Sequence, residues 1–316
     1  MRIRRGRRFT TLWAAGLLAT LLTAASCDGE GDNRPLNNKQ KGGEAESQVD
    51  RKLPPLRIAF IPYENPERLI DKAEPALSFL QTELGRPIKA FVTLDYSAAV
   101  EALAAGHADV SFLSPLPYVL AHSRTGATAV LGEVYAGRPY YYSKIFVRKD
   151  SGIKTLADLR GKTIAYVDPI SSSGYLYPHD ILVRAGLIKD LDKPRGGFFK
   201  RVYFAGGDQQ AIQAVYNEHV DAAGIGEFAL NLLRLEDRDA ITTIGESVRI
   251  PSHCVVVRKD LDKKLREQFI HAMLKLNEPA NRKLISALYG TESYVEVTHE
   301  TYKAVEQMAR EYGFLK

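Results

Sequence analysis

Ser171-Ser172-Ser173-Gly174 is a run of hydroxyls closed by a residue without a side chain. It stands between a strand-like run, Lys162 to Asp168, and a helical stretch that ends at Gly186. A strand that turns into a helix through such a run makes an anion site. The first backbone N–H groups of a helix have no intrahelical partner and its dipole is positive there, so a small oxyanion can be held without lysine or arginine. The same residues also read as a plain N-cap in a polar loop, and the local sequence leaves both readings open. Other hydroxyls are placed in the same way. Ser114 follows the apolar run Asp109 to Leu113, and Tyr63 lies just beyond Leu56 to Ile61. In α/β proteins, ligand contacts gather at the carboxyl ends of strands.

Two acids lie at comparable places. Asp208 follows Gly206-Gly207, and Glu227 ends Gly224-Ile225-Gly226-Glu227. Read locally, Asp208 is a helix N-cap and Glu227 a first-turn acid favoured by the dipole. Asp221 reads as scaffolding in the turn before a strand. The 7 histidines are scattered without paired ligand spacing, which points away from a metal, and His179 is the one nearest the serine run. No nucleophile elbow or His-linked triad is visible, so an enzyme is not expected.

The chain is long enough for two lobes once its N-terminus is set aside. Arg2, Arg4, Arg5, Arg7 and Arg8 precede the uncharged stretch Phe9 to Ala25, and Ala24-Ala25-Ser26-Cys27 follows. This is the grammar of a signal peptide over 1–26, and its end resembles a bacterial lipobox with Cys27 as the lipidated residue. An uncleaved membrane anchor is the alternative. The formal charge of +5 is matched by those five leader arginines, so the remainder is near neutral and nucleic-acid binding is not expected. Residues 27–52 are polar and lack aromatics, as in a disordered tether. If Cys27 carries lipid, Cys254 has no disulfide partner. In Cys254-Val255-Val256-Val257 it reads as a small buried hydrophobe or as a thiol ligand for a soft metalloid.

Strand-like and helix-like runs alternate from Leu56. Strands are expected at Leu56 to Ile61, Ile88 to Thr93, Asp109 to Leu113, Lys162 to Val167, Phe199 to Phe204, Ala222 to Ile225 and Ile241 to Ile244. Helices are expected over Pro66 to Leu84, Ser97 to Ala105, Gln209 to Asn217, Phe228 to Leu235, Leu261 to Leu276 and Thr301 to Tyr312. Such alternation implies mainly parallel sheets flanked by helices. Ile145 to Asp150 echoes Val255 to Asp260, and both are placed to be hinge strands. The expected division is 53–145 plus 255–316 for lobe 1 and 146–254 for lobe 2, with a ligand cleft between them.

Several segments, in order, carry a resemblance. They are Ala108-Asp109-Val110 with Ser114-Pro115, Tyr140 to Ile153, Thr155 to Lys162, Asp168-Pro169 with Ser173 to Pro178, Phe204 to Gly207, and Val220-Asp221-Ala222. The chain resembles the phosphate, phosphite and phosphonate substrate-binding proteins of ABC transporters over residues 56–315. The resemblance implies a two-lobed α/β periplasmic-binding-protein fold of type II. It further implies a monomer without cofactor that takes a phosphonate-class oxyanion to a membrane permease. Ser171, Ser172 and Ser173 would hold the oxyanion and Tyr141 would line the cleft. The family commonly has His-Asp after the paired glycines, whereas this chain has Asp208-Gln209. Its aminoalkyl-phosphonate binders place carboxylates for an amine close to the position of Glu227, so the resemblance implies that Asp208 and Glu227 could bind an ammonium while the serines bind the phosphonate. A ligand-presenting sensor for an arsenic or phosphorus oxyanion, working with a histidine kinase, is the alternative; it requires Cys254 to face the cleft.

Overall fold

The computed structural model describes residues 49–189 and 197–316, all within one compact unit, Glu46–Lys316. The leader and Cys27 lie outside the described residues. Among the described residues no helix is long and apolar enough to cross a membrane.

The first sheet has the order β13-β4-β12-β3-β1-β2. Its strands are β1 (Leu56–Phe60), β2 (Ile88–Val92), β3 (Val110–Leu113), β4 (Thr128–Val134), β12 (Cys254–Val257) and β13 (Ser293–Glu296). The second has the order β10-β6-β9-β7-β8. It comprises β6 (Ser143–Arg148), β7 (Thr163–Tyr166), β8 (Arg201–Phe204), β9 (Ala222–Gly226) and β10 (Ile241–Glu246). Between the sheets runs a short antiparallel ribbon in which β5 (Tyr140–Tyr141) pairs with β11 (Ile250–Pro251).

The sheets are mixed rather than mainly parallel. β1 pairs in parallel with β2 and β3, and β7 with β8 and β9, which requires crossover connections between them. The remaining partners, β12 on β3 and β4, β13 on β4, and β6 on β9 and β10, are antiparallel. β6 and β12 are the segments that begin just after the chain passes between sheets, and they enter against the direction of their neighbours. The echoing segments therefore belong to different sheets, and the crossing ribbon is β5 with β11. β6 joins the second sheet from Ser143, and Cys254 already belongs to the first.

Helices cover both faces of each sheet. On the first lobe, α1 (Pro66–Leu84) and α6 (Lys263–Lys275) share a buried cluster with Phe60, Phe112, Val255 and Phe269, beside the short α7 (Arg282–Ser286). The opposite face carries α2 (Tyr96–Ala104), α3 (Pro115–Thr125) and α8 (Lys303–Glu311). Its apolar cluster runs on without a break into the second lobe, through Tyr141, Val167, Leu176 and α5 (Asp208–Tyr216). A third cluster, around Ile164, Tyr166 and Leu182, packs α4 (Tyr177–Arg184) on the second sheet. Caps account for several helix starts: Asn65 accepts from Arg68 N, Asp95 from Ala98 N and Asp262 from Leu265 N. The expected helix over Phe228 to Leu235 is instead a tight 3-10 turn over Glu227–Leu232.

Candidate functional site

The serine run does not open a regular α-helix. Leu176 N bonds to Ser171 O at 3.0 Å and Tyr177 N to Ser172 O, so Ser172–Leu176 winds as a π-turn before α4 begins. The cause is local. Pro178 has no N–H to offer the carbonyl four residues back, at Gly174, and that carbonyl instead accepts from Val167 N at 2.8 Å. The turn is thereby bound to the end of β7, and its hydroxyls are presented to the first lobe.

The three serines do different work. Ser171 is the cap, its Oγ accepting from Gly174 N at 3.1 Å. Ser172 is wholly buried and reaches across the cleft, where its Oγ accepts from Leu116 N at 2.7 Å and donates to Ser114 Oγ at 3.3 Å. Ser114 caps α3, whose first residues are Pro115, Leu116 and Pro117, so Leu116 supplies the one N–H of that opening turn. Ser173 faces a pocket and shares a hydrogen bond with the Tyr141 hydroxyl.

That pocket lies between the lobes and holds about 30 Å³. Tyr63, Tyr141, Ser173 and Asp208, all anticipated from the sequence, line it together with Tyr135, Phe228, His253 and Tyr289. No lysine or arginine is among its lining residues. Tyr63, Tyr135, Phe228 and Tyr289 also border a larger adjoining cavity of about 580 Å³, with Glu64, Lys72, Lys283 and Glu292 on its walls. Tyr63 meets Tyr289 edge-on at 5.7 Å between centroids.

Asp208 is the first residue of α5, with Gly207 as the cap, and its carboxyl turns into the pocket instead of capping the helix. It accepts from Tyr96 Oη at 3.5 Å and from Gly226 N. Burial raises its pKa to about 7. Gln209 binds the other lobe: its N donates to Tyr63 O at 3.3 Å and its Oε1 accepts from Asn65 N at 3.3 Å. Asp168 likewise crosses the cleft, accepting from Tyr96 N at 3.3 Å.

Glu227 is not brought together with Asp208 on the pocket wall. Its Oε1 accepts from Tyr142 N at 3.2 Å and pairs with Arg138 at 3.3 Å. Asp221 accepts from Thr163 N and Oγ1, both at 2.7 Å, in the turn before β9. Cys254 is fully buried in β12 with Sγ directed at Leu113 O, and burial pushes its thiol pKa well up. His179 is buried against the rings of Tyr175 and Tyr312, away from the pocket.

Sequence reasoning missed Glu133 and His253. His253 Nε2 is 3.2 Å from Tyr141 Oη, and its Nδ1 is 3.9 Å from Glu133 Oε2. Glu133 is wholly buried in β4 and accepts from the Tyr135 hydroxyl. Burial raises the Glu133 pKa to about 8 and lowers that of His253 to about 4. The available signal was an acid inside the apolar run Ala129 to Tyr135, and a histidine just ahead of Cys254-Val255-Val256-Val257.

These buried carboxyls set a pH dependence. Asp208 is raised from 3.8 to about 7 and Glu133 from 4.5 to about 8, so between those limits the folded protein binds more protons than the unfolded chain. Stability then falls as pH rises through that window and levels off above it. His253, lowered from 6.5 to about 4, opposes this slope below about pH 6.5 without cancelling the two acids, and carboxylates with lowered values, such as Asp109 and Asp158, add a loss only beneath the window. The ligand-free protein should therefore melt several degrees lower at about pH 8.5 than at about pH 5.5. Glu133→Gln should flatten that slope, and equal melting temperatures at the two pH values in the unmodified protein would refute the assignment.

Relatives bear on what the site serves. The chain is 30% identical over 226 residues to the phosphate-import protein PhnD of Mycolicibacterium smegmatis, covering 70% of this chain and 66% of that protein. It is 27% identical over 243 residues to the phosphonates-binding periplasmic protein of Escherichia coli, covering 74% and 70% respectively. A binding component of a Pseudomonas aeruginosa ABC phosphonate transporter shares the fold, with a TM-score of 0.75 at 22% identity over 82% of this chain and 87% of that one. So does PhnD1 of Prochlorococcus marinus, solved with methylphosphonate, with a TM-score of 0.72 at 18% identity over 82% and 98%. With residues 58–302 matching its profile, the chain belongs to the family of phosphonate periplasmic substrate-binding proteins of ABC transporters.

Proposed function

We propose that this protein captures a small tetrahedral oxyanion of the phosphonate, phosphite or phosphate class in the interlobe pocket and delivers it to an ABC permease. The observation that carries the reading is a small pocket walled by hydroxyls from both lobes and free of lysine and arginine. Its volume of about 30 Å³ suits a compact anion, since one water-sized sphere needs roughly 10–15 Å³ of the same measure. Uncharged donors bind an oxyanion firmly and still release it, as a carrier must. Closure by hinge motion follows if the ligand has higher affinity for the closed arrangement. Cys27 would carry lipid, holding a monomer at the outer face of the cytoplasmic membrane. A metalloid sensor lacks support from Cys254, which is buried in the first sheet.

A thermal-shift series tests this, because saturating ligand raises stability with the logarithm of its excess over Kd. Phosphate, phosphite, methylphosphonate, 2-aminoethylphosphonate, arsenite and sulfate are the ligands to compare. At least one of the first three should stabilise the protein by several degrees while sulfate does not; no response to any of them refutes the reading. Because Glu227 is engaged by Arg138 and the Tyr142 amide, 2-aminoethylphosphonate should stabilise no more than methylphosphonate. A clearly larger shift would show an ammonium site that this arrangement does not contain.

A further inference from the structure

Asp208 occupies the place where the resemblance leads one to expect an imidazole, and the imidazole of this pocket comes from elsewhere. His253 lies on the link between β11 and β12, lines the pocket, and stacks edge-on with Tyr141 at 5.2 Å. Its two nitrogens face different partners, the Tyr141 hydroxyl on one side and the Glu133 carboxyl on the other. Glu133 Oε1 has no hydrogen-bond partner, which is costly for a buried polar oxygen. A chain of groups thus runs from a buried carboxyl, through an imidazole and a phenol, to Ser173 on the pocket wall.

The charges around this chain decide what it can do. The acids facing the pocket region are Glu133 from β4 and Asp208 from α5. Glu64, in the adjoining cavity, is taken up by Lys72 at 2.6 Å and Arg68 at 3.4 Å. The phenols of Tyr63, Tyr135, Tyr141 and Tyr289 are all raised by burial and stay neutral. An oxyanion entering here meets no lysine or arginine and two carboxyls that burial keeps protonated up to about pH 7 to 8, so the Glu133 proton is the mobile charge within reach of His253.

Resting on the phosphonate-class reading, we propose that His253 is a ligand-binding residue, and that Glu133 positions it and stores the proton that makes it cationic when an oxyanion enters. Below about pH 8 the stored proton sits on Glu133 and the imidazole is neutral. On binding, the imidazole closes the 3.9 Å to Glu133 Oε2, the proton passes to Nδ1 and Glu133 is left as its counter-carboxylate, with the net charge of the pair unchanged. Above that pH the pair holds no proton, and the same bound state is reached only by taking one from solvent.

Calorimetry of the full-length protein with methylphosphonate, in buffers of different ionisation enthalpy, reads this directly. The unmodified protein should take up about one more proton per ligand at about pH 8.5 than at about pH 6 from this pair. The ligand's own proton and any taken up by Asp208, which lines the same pocket, are common to all variants, so differences between variants belong to the His253–Glu133 pair. His253→Gln should lose that increment and bind about 10- to 100-fold more weakly. Glu133→Gln, which keeps an acceptor for Tyr135, should take up a proton at the lower pH as well. Unchanged affinity and proton uptake in His253→Gln would overturn the proposal. If that variant does not fold, Glu133→Gln decides alone, and wild-type uptake at about pH 6 overturns it. Failure of the unmodified protein to bind methylphosphonate, phosphite or phosphate overturns the phosphonate-class reading and this with it; binding with an unaltered proton inventory overturns this alone.

Discussion

Gly174→Ala is expected to lower both the stability of the protein and its grip on an oxyanion. A Cβ at this position would lie 2.3 Å from Val167 Cγ2, 2.4 Å from Val167 Cβ and 2.8 Å from Ser171 Oγ. The two segments cannot simply part, because Val167 N is bonded to Gly174 O at 2.8 Å. Overpacking of this kind costs about 1–3 kcal/mol, and at roughly 2–4 °C per kcal/mol the melting temperature should fall by about 2–12 °C. The larger effect is on binding, since the displaced turn carries Ser171, Ser172 and Ser173. Affinity for the best oxyanion should drop about 100-fold or more, because positioned donors lose their value when shifted. Val167→Gly in the same chain removes both colliding Val167 atoms and should restore part of the loss, whereas Val167→Ala keeps the Cβ 2.4 Å away and should not. If Gly174→Ala binds with wild-type affinity in calorimetry, the hydroxyl turn is not the gripping element.

Ser172→Ala should have the second large effect, and Ser114→Ala a much smaller one. Removing the Ser172 hydroxyl leaves Leu116 N without its acceptor at a fully buried place between lobes. An unsatisfied buried donor costs about 1–3 kcal/mol. That cost falls on the closed arrangement, so Kd for the bound oxyanion should rise by about 5- to 150-fold. Ser114 accepts only the longer bond of 3.3 Å from Ser172, and Leu116 keeps its acceptor when Ser114 is truncated. A result in which the two variants weaken binding equally would show that the hydroxyl pair, and not the Leu116 contact, holds the lobes.

Much of this site was legible because the sequence obeys the logic of strand ends. Ser114 and Tyr63 each follow a parallel strand, β3 and β1, and a residue placed there points towards the cleft by topology alone. Ser171 to Ser173 follow β7 in the same way, although Pro178 converts the expected helix start into a wider turn. Mainly parallel sheets were expected because alternation of elements says nothing about strands that enter after a crossing. β6 and β12 are such strands, and both run antiparallel to their neighbours. The groups that escaped notice come from this less regular part. Glu133 belongs to β4, an inner strand flanked by antiparallel partners, and His253 to a two-residue link. Neither has a spacing that marks it; only tertiary placement puts them 3.9 Å apart. Asp208 and Glu227 show the converse. Both acids were visible, but whether a carboxylate is free depends on a partner such as Arg138, nearly ninety positions away from Glu227 along the chain.

The ribbon of β5 with β11 is only two residue pairs long, and one of its four residues, Pro251, has no N–H to contribute. Such a ribbon resists bending weakly and behaves as a torsion bar between two larger bodies. Points on the axis of a rotation travel least, and Tyr141 and His253 sit on or beside this bar. In the hinge closure proposed above they would be the stator of the pocket, with Ser173, Asp208 and Tyr63 on the lever arms, so a ligand would meet the phenol and imidazole first, already in register, and the serine turn would arrive last.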